Sequence, residues 1–349
     1  MKTIWLSLFL IVFTHQVCAY DFKDNGIFYN VFSYGIDEET GEMNGFLEVT
    51  FDEEVQGVYP IVSYYAGDVV IPDSVCYQGD KYPVKRIGAF AFSSCPDLIS
   101  VSLPQTITEI REGAFNGCEN LTSIFIPRSV ITLAEEIFIY CPHLDFISVE
   151  DGNPIYDSRE GCNAVIETAT NTLLIGSNNT FIPNTVTAIG HAAMDNKSFV
   201  ELKIPDSVVE IGESSFFDCE KLQRIEIPNS VISIGDGAFT WCPSLVSVIS
   251  HIEEPTEILE SSWFESDDIP DYWGNVTLYV PKGTRELYKS TKGWNVFLNI
   301  VEMDVEPTKI LQLETESEGE SIIFGLDGKR RSNPHKGLNI MKGKKFMVK

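Results

Sequence analysis

Positive charge is scarce in this chain of 349 residues, where 25 Lys and Arg stand against 51 Asp and Glu to give a net charge of −26. A surface this acidic repels phosphate groups, which argues against a nucleic-acid partner and against an anionic membrane surface. Eight of the basic residues lie within residues 327–349, which hold a single acid. This asymmetry indicates that the end of the chain has a role separate from that of the acidic body.

Long apolar runs are also missing, since none reaches the roughly 18 residues that a membrane-spanning helix needs. Residues 4–13 form a shorter run that follows Lys2 and precedes a small-residue cleavage pattern at residues 17–19. This arrangement predicts a signal peptide over residues 1–19. Lipoprotein cleavage at Cys18 is the alternative, and the residues just before it disfavour that. We therefore expect an exported protein, secreted or held at the cell surface, with the periplasm as the alternative location.

Motifs that carry catalysis are absent from the sequence as well. The five histidines form no H-E-x-x-H arrangement, and there is no G-x-S-x-G turn, phosphate-binding loop or C-x-x-C pair. Asp151-Gly152-Asn153 lacks the further oxygen ligands of a calcium loop and is interpreted as a turn. The sequence thus predicts no catalytic residue, no metal and no cofactor. An enzyme is the weaker alternative, and its site would have to lie in residues 151–183.

Cysteine is infrequent, but its spacing is regular. Of the eight cysteines, Cys95, Cys118 and Cys141 are 23 residues apart, and so are Cys219 and Cys242. Around them the phrase I-G-x-x-A-F-x-x-C-x-x-L-x-x-I-x-I-P-x-S-V recurs in whole or in part. A period of 20–29 residues is typical of leucine-rich-repeat solenoids. The six copies begin at Ile87, Ile110, Leu133, Ile189, Ile211 and Ile234.

Each column of the repeat predicts a role for its residues. Ile124 and Ile126 would point inward from a short strand while Phe125 faces outward, because side chains alternate along a strand. The Phe at the sixth position of a copy would stack between coils, and the cysteines would form a buried column of small side chains. The fourth copy departs from the pattern, with Met194 in place of Phe and Lys197 in place of Cys.

These phrases resemble the BspA-type leucine-rich repeat of secreted and surface proteins from anaerobic commensal bacteria. The clearest copy is IREGAFNGCENLTSIFIPRSV at residues 110–130, and the resemblance covers about residues 60–300. It implies a β-rich leucine-rich-repeat solenoid of about 23-residue repeats, and adhesion to matrix or host proteins in some relatives. The implied segments are an N-terminal β cap at 20–70, a solenoid at 71–250 with an irregular, hairpin-like coil at 151–183, and a C-terminal β cap at 251–302.

The last part of the chain differs in composition from the repeats. Residues 303–320 are acidic and predict a linker. Residues 321–349 are basic and resemble C-terminal segments common on exported proteins of the same bacterial group, some of which use them as sorting signals. The resemblance implies a sorting segment, and a small β-hairpin that completes the fold is the alternative.

The outward strand face is the first region suited to binding a ligand. Phe125 and Phe146 are predicted to be exposed anchors in the early coils, because large aromatic residues dominate interface energies. Charged residues replace them in the later coils, at Glu201, Arg224 and Glu226. The alternative is that both rings only cover neighbouring side chains.

The second region is residues 251–273, where Trp263, Tyr272 and Trp273 lie among many acids. Aromatic rings in an acidic loop can stack on sugars or hold a basic peptide. Packing of these rings against the end of the solenoid is the alternative, and it is the favoured one.

The sequence therefore predicts an exported, non-enzymatic repeat protein that mediates protein–protein interaction or adhesion at the bacterial surface. Its partner would be a surface protein of a host or of a neighbouring cell, and it would have no nucleic-acid partner. An envelope protein that binds glycans or captures nutrients is the alternative, and it would use the aromatic residues of the 251–273 region.

Overall fold

The computed structural model describes residues 20–36, 43–51, 65–263 and 276–303, together with strand residues 323–325, 330–331, 337–341 and 344–348. The chain divides into two units, Met1–Glu302 and Met303–Lys349. The predicted signal peptide and nearly all of the predicted acidic linker lie outside the described residues.

The first unit begins with an antiparallel hairpin. Strand β1 (Phe22–Asp24) turns through Gly26, at a φ of +86°, into β2 (Ile27–Ile36), which pairs with β3 (Met43–Thr50). Glycine adopts such a positive φ at no steric cost, which allows the tight turn. These three strands lie within residues 20–70, where the resemblance implies an N-terminal β cap.

The first regular coils alternate short strands between two sheets. These strands are β4 (Gly67–Val70), β5 (Ser74–Tyr77), β6 (Asp80–Ile87), β7 (Leu98–Ser102), β8 (Glu109–Ile110), β9 (Ser123–Ile126), β10 (Thr132–Leu133) and β11 (Phe146–Val149). One sheet has the order β11–β9–β7–β4, and the other continues the hairpin through β3, β6, β8 and β10. Ile147 lies opposite Ile124 and Ile124 opposite Val101 in parallel register. Successive coils thus stack one strand spacing apart, because equivalent residues pair.

The 23-residue spacing breaks after β11, where a different coil is inserted. It contains β12 (Tyr156–Asp157), a 3₁₀ turn (Arg159–Gly161), β13 (Ala164–Glu167) and β14 (Thr172–Gly176). Strands β13 and β14 pair antiparallel, so the hairpin predicted within residues 151–183 is present. The turn interpreted from the sequence at Asp151-Gly152 is present too, with Gly152 at a φ of +85°.

Regular coils resume after the insertion. Their strands are β15 (Ala188–Ile189), β16 (Glu201–Lys203), β17 (Glu210–Ile211), β18 (Arg224–Ile227), β19 (Ser233–Ile234), β20 (Ser247–Ser250), β21 (Thr277–Val280) and β22 (Asn299–Glu302), with a 3₁₀ turn at Glu260–Ser262 and helix α1 (Arg285–Ser290). A parallel sheet of order β16–β18–β20–β21–β22 forms one side, and β15, β17 and β19 extend the sheet of β14.

Inward side chains of these sheets build the core as the repeat predicts. Ile124 is buried, whereas Phe125 on the same strand is 50% exposed. The ring column is also present, with Phe92, Phe115 and Phe138 stacked at centroid spacings of 5.1 Å. Each ring therefore buries its faces against the coils before and after it, which no isolated coil could do.

Buried hydrophobic residues of the described part form two clusters that meet at the inserted coil. Ala164 and Ile166 of β13 join the C-terminal cluster, whereas Val165 between them joins the N-terminal cluster. Alternation along the strand thus sends neighbouring side chains into different cores. We call strands β13 and β14, which separate the two clusters, the wedge.

No disulfide joins the seven cysteines of the described part. The column cysteines are buried, as the repeat predicts, and the Cys118 thiol also donates a hydrogen bond to the Phe92 carbonyl at 3.0 Å. The sequence leaves the state of Cys76 and Cys162 open. In the structure Cys76 is exposed, while Cys162 is buried beside the wedge.

The second unit contains four short antiparallel strands. They are β23 (Ile323–Gly325), β24 (Arg330–Arg331), β25 (Gly337–Met341) and β26 (Lys344–Val348), in the order β24–β23–β25–β26. Strand pairing within residues 321–349 fits a small β unit, and the sorting role implied by the resemblance stays a prediction.

Candidate functional site

The outward side of the first parallel sheet combines small hydroxyl residues with two large rings. Phe125 on β9 lies opposite Ser148 on β11, and Phe146 lies opposite Ser123, so the two rings are diagonal neighbours on adjacent strands. We call this surface the serine–phenylalanine face. Its residues are Ser100, Ser102, Ser123, Phe125, Phe146 and Ser148.

Both rings of this face remain accessible. Phe125 is 50% exposed and Phe146 is 55% exposed, so about half of each side chain is left uncovered by its neighbours. Parallel strands give the face a regular, hydrogen-bonded support, because each strand pairs with the next in unbroken register. An aromatic pair of this kind can bury apolar area against a partner without reorganising the chain.

A second outward surface lies on the sheet beyond the wedge. Glu201 is opposite Arg224, and the Arg224 Nη2 atom is 3.9 Å from Glu226 Oε2. The His251 Nε2 atom lies 2.9 Å from the other oxygen of Glu226, and this hydrogen bond lowers the pKa of the Glu226 carboxyl. Arg224 and Glu226 thus already pair with each other, while Glu201 is exposed. The structure places these three residues together, on a different sheet from Phe125 and Phe146.

Trp263 occupies a core position instead of a surface. Its side chain is fully buried, and its ring stacks on Phe239 with centroids 4.8 Å apart. The Trp294 ring also packs against it, with centroids 5.4 Å apart. The ring of Trp263 therefore continues the Phe column and is not available to a ligand. Tyr272 and Trp273 lie outside the described residues.

The fourth regular coil buries charge where the others bury Cys. Lys197 is 3% exposed and donates from Nζ to the Asp195 carbonyl at 2.8 Å. The Asp195 carboxylate accepts a bond from the Tyr140 N–H at 3.3 Å, in place of a coil-to-coil backbone bond. Burial raises the pKa of Asp195 to about 6, against the opposing effect of the Lys197 ammonium. Asp195 and Lys197 therefore lie next to the wedge, where the backbone bonds between coils and the column of buried cysteines are interrupted.

A cleft of about 420 Å³ opens beside the serine–phenylalanine face, at the free edge of β11. It is lined by residues 147–153, 156–161 and 163. At its edge, Glu150 accepts a hydrogen bond from the Arg128 guanidinium at 2.8 Å, and this contact lowers the pKa of Glu150 to about 2. We call this space the cleft.

Two polar side chains of the cleft are engaged by other groups of the fold. The Ser158 hydroxyl donates to the Ala164 carbonyl at 2.6 Å and accepts from the Val149 N–H at 2.9 Å. Arg159 is held by both carboxylate oxygens of Asp157. No histidine is among the residues that line the cleft. The Ser158 hydroxyl donates its proton to a backbone carbonyl and not to a side-chain base.

Sequence reasoning did not identify the cleft as a binding place, although it marked residues 151–183 as irregular. The break in the repeat spacing could have located the cleft, because a coil that loses the repeat pattern cannot continue the sheet. Strand β11 consequently lacks a following strand at its edge. Which side chains line the resulting space depends on the fold of the insertion, which has no repeated partner from which to infer it.

Within the part of the chain that the structure describes, no helix has the length and apolar character to cross a membrane. In the same part of the chain, His, Cys, Asp and Glu side chains do not gather in threes at distances suited to a metal ion.

Comparison with solved structures found several bacterial repeat proteins. A leucine-rich cell surface protein from Faecalibacterium prausnitzii is 18% identical, with a TM-score of 0.46, over 85% of this chain and 98% of that one. A leucine-rich repeat protein from Bacteroides ovatus is 22% identical, with a TM-score of 0.42, over 81% of this chain and 67% of that one. A search of curated proteins found no match.

Comparison with family models gave a match that follows the repeat described above. The model of the BspA type leucine rich repeat region matches in six copies, over residues 81–162 and 174–271. The gap between the two ranges falls on the inserted coil. Since the matched copies span just over half of the chain, the protein belongs to the BspA-type leucine-rich repeat family.

Proposed function

We propose that the protein is exported and binds another protein at the bacterial surface, through the serine–phenylalanine face. The coils would form one continuous solenoid with a β cap at each end. The observation that carries this proposal is the half-exposed pair Phe125 and Phe146, held diagonally on adjacent strands of a regular parallel sheet.

Several features support a binding role over a catalytic one. The largest part of the chain consists of repeats, whose extended faces are suited to contact a partner. The cleft offers hydrogen-bonding groups that are already engaged in structure, as at Ser158. The glycan alternative is weakened by the burial of Trp263, which the sequence had offered as a sugar-stacking ring.

The proposal predicts that the two rings determine binding. Phe125→Ala combined with Phe146→Ala should weaken binding by about thirtyfold or more, because removal of two interface aromatics costs about 1–2 kcal/mol each or more. Biolayer interferometry of the full mature chain against immobilised collagen, laminin and fibrinogen measures this.

A matched control removes the same kind of exposed apolar area elsewhere. Ile131 and Ile232 are 52% and 66% exposed and lie outside the serine–phenylalanine face, so Ile131→Ala with Ile232→Ala should leave binding unchanged. Equal affinity of the Phe variant and the parent protein would contradict the proposal. Absence of binding to all three proteins by the parent chain would count against a host-matrix partner.

A further inference from the structure

The residue just before the cysteine position lies at the same turn in every copy of the repeat. We call these residues the turn column; they are Ser94, Gly117, Tyr140, Asn196, Asp218 and Trp241. The backbone joins neighbouring turns, as where the Asn196 N–H donates to the Phe217 carbonyl. At the wedge, the Asp195 carboxylate makes this link by accepting a hydrogen bond from the Tyr140 N–H. The column is therefore continuous from one side of the wedge to the other.

Two members of the turn column are bulky aromatic residues held in a strained backbone conformation. Tyr140 has a φ of 54° and Trp241 a φ of 59°, in the left-handed region that suits Gly, Asn and Asp. Their side chains are 48% and 55% exposed, so about half of each contributes nothing to the core. Core packing thus does not account for large rings at these two positions. A strained residue that packs little of the core is an indication of function.

Polar side chains occupy the two coils between these rings. Asn196 donates from Nδ2 to Asp218 Oδ2 at 2.9 Å, and within the described part of the chain the other carboxylate oxygen of Asp218 accepts no hydrogen bond. Burial raises the pKa of the Tyr140 phenol, and the nearby carboxylates of Asp195 and Asp218 raise it further. The Tyr140 side chain therefore lies close to Asp218, and the order along the column is ring, amide, carboxylate, ring.

This order of groups suits a chain of sugars. A pyranose ring has an apolar face of C–H groups, which stacks on an aromatic ring, and a rim of hydroxyls, which bond to amides and carboxylates. A ligand that touches both rings must extend over three coil spacings, at least about 14 Å, so it contains several sugar units. An acidic glycan is disfavoured, because the net charge of −26 repels it.

An extended peptide fits the turn column less well. Extended peptides bind chiefly through their main chain, which pairs with backbone groups at a strand edge. The N–H groups of Asn196 and Asp218 already donate to the next coil, at 2.8 and 3.0 Å. What these two residues offer a ligand is therefore their side chains.

We infer that the turn column binds an extended, neutral oligosaccharide. Tyr140 and Trp241 stack on sugar rings near its two ends, and Asn196 and Asp218 bond the hydroxyls between them. This inference is independent of the proposed function, because the turn column and the serine–phenylalanine face share no residue.

Isothermal titration calorimetry of the full mature chain tests the inference. The probes are cellohexaose and mannohexaose, whose chains are extended, and maltohexaose, whose chain is curved. The parent protein should bind at least one extended hexaose and bind maltohexaose more weakly. Tyr140→Asn with Trp241→Asn should weaken binding by about tenfold or more, because aromatic residues dominate contact energies. Asp218→Ala should weaken it about three- to tenfold through the lost hydrogen bonds.

Two controls separate loss of the site from loss of the fold. Asn occupies the same turn in the fourth copy, at Asn196, so the Tyr140→Asn, Trp241→Asn variant should fold and keep the circular dichroism spectrum of the parent. Phe181 is 44% exposed and lies outside the turn column, so Phe181→Ala should leave hexaose binding unchanged. Equal weakening by this control and by the turn-column variant would overturn the inference.

The parent protein alone can also contradict the inference. Absence of binding to all three hexaoses would overturn it, while binding to matrix proteins through the serine–phenylalanine face could still be observed. Preference for maltohexaose would overturn the extended geometry. Binding of a lysine hexapeptide that is lost in the Tyr140→Asn, Trp241→Asn variant, with no hexaose bound, would assign the turn column to a basic peptide and overturn the inference.

Discussion

Single residues link each coil to the coil before it through the cysteine column. The Cys141 thiol donates to the Phe115 carbonyl at 3.1 Å, and the Cys242 thiol donates to the Phe216 carbonyl at 3.2 Å. The column is therefore more than a set of small apolar side chains, because each thiol also satisfies a buried carbonyl. Alanine would fill less space and remove the hydrogen bond from the thiol to the carbonyl, which explains why a thiol suits this position.

Asp195 gives the protein a pH-dependent stability that can be measured. Its pKa is raised from 3.8 to about 6, mainly by burial, with Asp218 and Glu136 adding to the rise and Lys197 and the Tyr140 N–H opposing it. The folded state binds a proton at this group between about pH 4 and pH 6 that the unfolded state has released. Stability from this group is therefore present at low pH and is lost as the pH rises through about 6.

Urea unfolding measures the free energy of unfolding of the parent protein minus that of the Asp195→Asn variant. This difference should fall by up to about 1.4 kcal/mol per pH unit from pH 5 to pH 6 and level off above pH 7. Asp97→Asn removes an exposed carboxylate and should show no such slope. A difference that is constant, or that grows with pH in this window, would show that Asp195 is not protonated in the folded protein.

At the scale of the element, every regular coil contains two residues in the left-handed region of backbone space. These positions lie three and seven residues after the start of a copy, as at Ser214 with a φ of 52° and Asp218 with a φ of 54°. The N–H of each donates to the next coil, to Asp236 and Thr240 respectively. Lateral hydrogen bonds thus offset the cost of placing non-glycine residues there.

Ser214→Gly should therefore stabilise the protein by about 0.5–1 kcal/mol, because glycine enters the left-handed region without steric strain. Glu213→Gly, one residue earlier and without a positive φ, should destabilise it by a similar amount, since glycine there only adds freedom to the unfolded chain. The midpoint of thermal unfolding for both variants measures the effect. A lower midpoint for Ser214→Gly would refute the argument.

The repeated elements could be predicted from the sequence because their pairing follows from the spacing. Once Ile124 and Ile147 occupy equivalent positions 23 residues apart, their strands must be neighbours in register. The spacing does not predict the position of Trp263. It lies 24 residues after Phe239 and continues the ring column, but no Cys or Leu follows at the usual spacing to mark a further coil. The walls of the cleft could not be predicted, because the inserted coil repeats nothing.

At the scale of the whole molecule, the wedge divides the core. The ring column is stacked from Phe92 to Phe138 and again from Phe216 to Trp263, with Met194 and the buried pair of Asp195 and Lys197 between the two stacks. Coils in a repeat protein are stabilised chiefly by their neighbours. The boundary at the wedge therefore has fewer stacking contacts than the boundaries on either side.

Unfolding should accordingly proceed in two steps, with the boundary at the wedge opening first. Hydrogen exchange followed by mass spectrometry should show two groups of protected amides, one from Ile27 to Val149 and one from Ile189 to Ile300, that lose protection at different urea concentrations. Amides of the wedge should exchange with the weaker group. A single concentration at which all coils lose protection together would show that the wedge couples the two cores fully.

The position of the wedge determines what changes when coils are added to or removed from the repeat array. Each of its faces meets a regular coil, and a coil added or removed on either side would shift everything beyond it by one strand spacing, about 4.8 Å. The walls of the cleft come from the coil that ends at β11 and from the insertion itself, so they would be preserved. The distance from the cleft to either end of the repeats is thus adjustable in fixed increments of 23 residues, independently on its two sides.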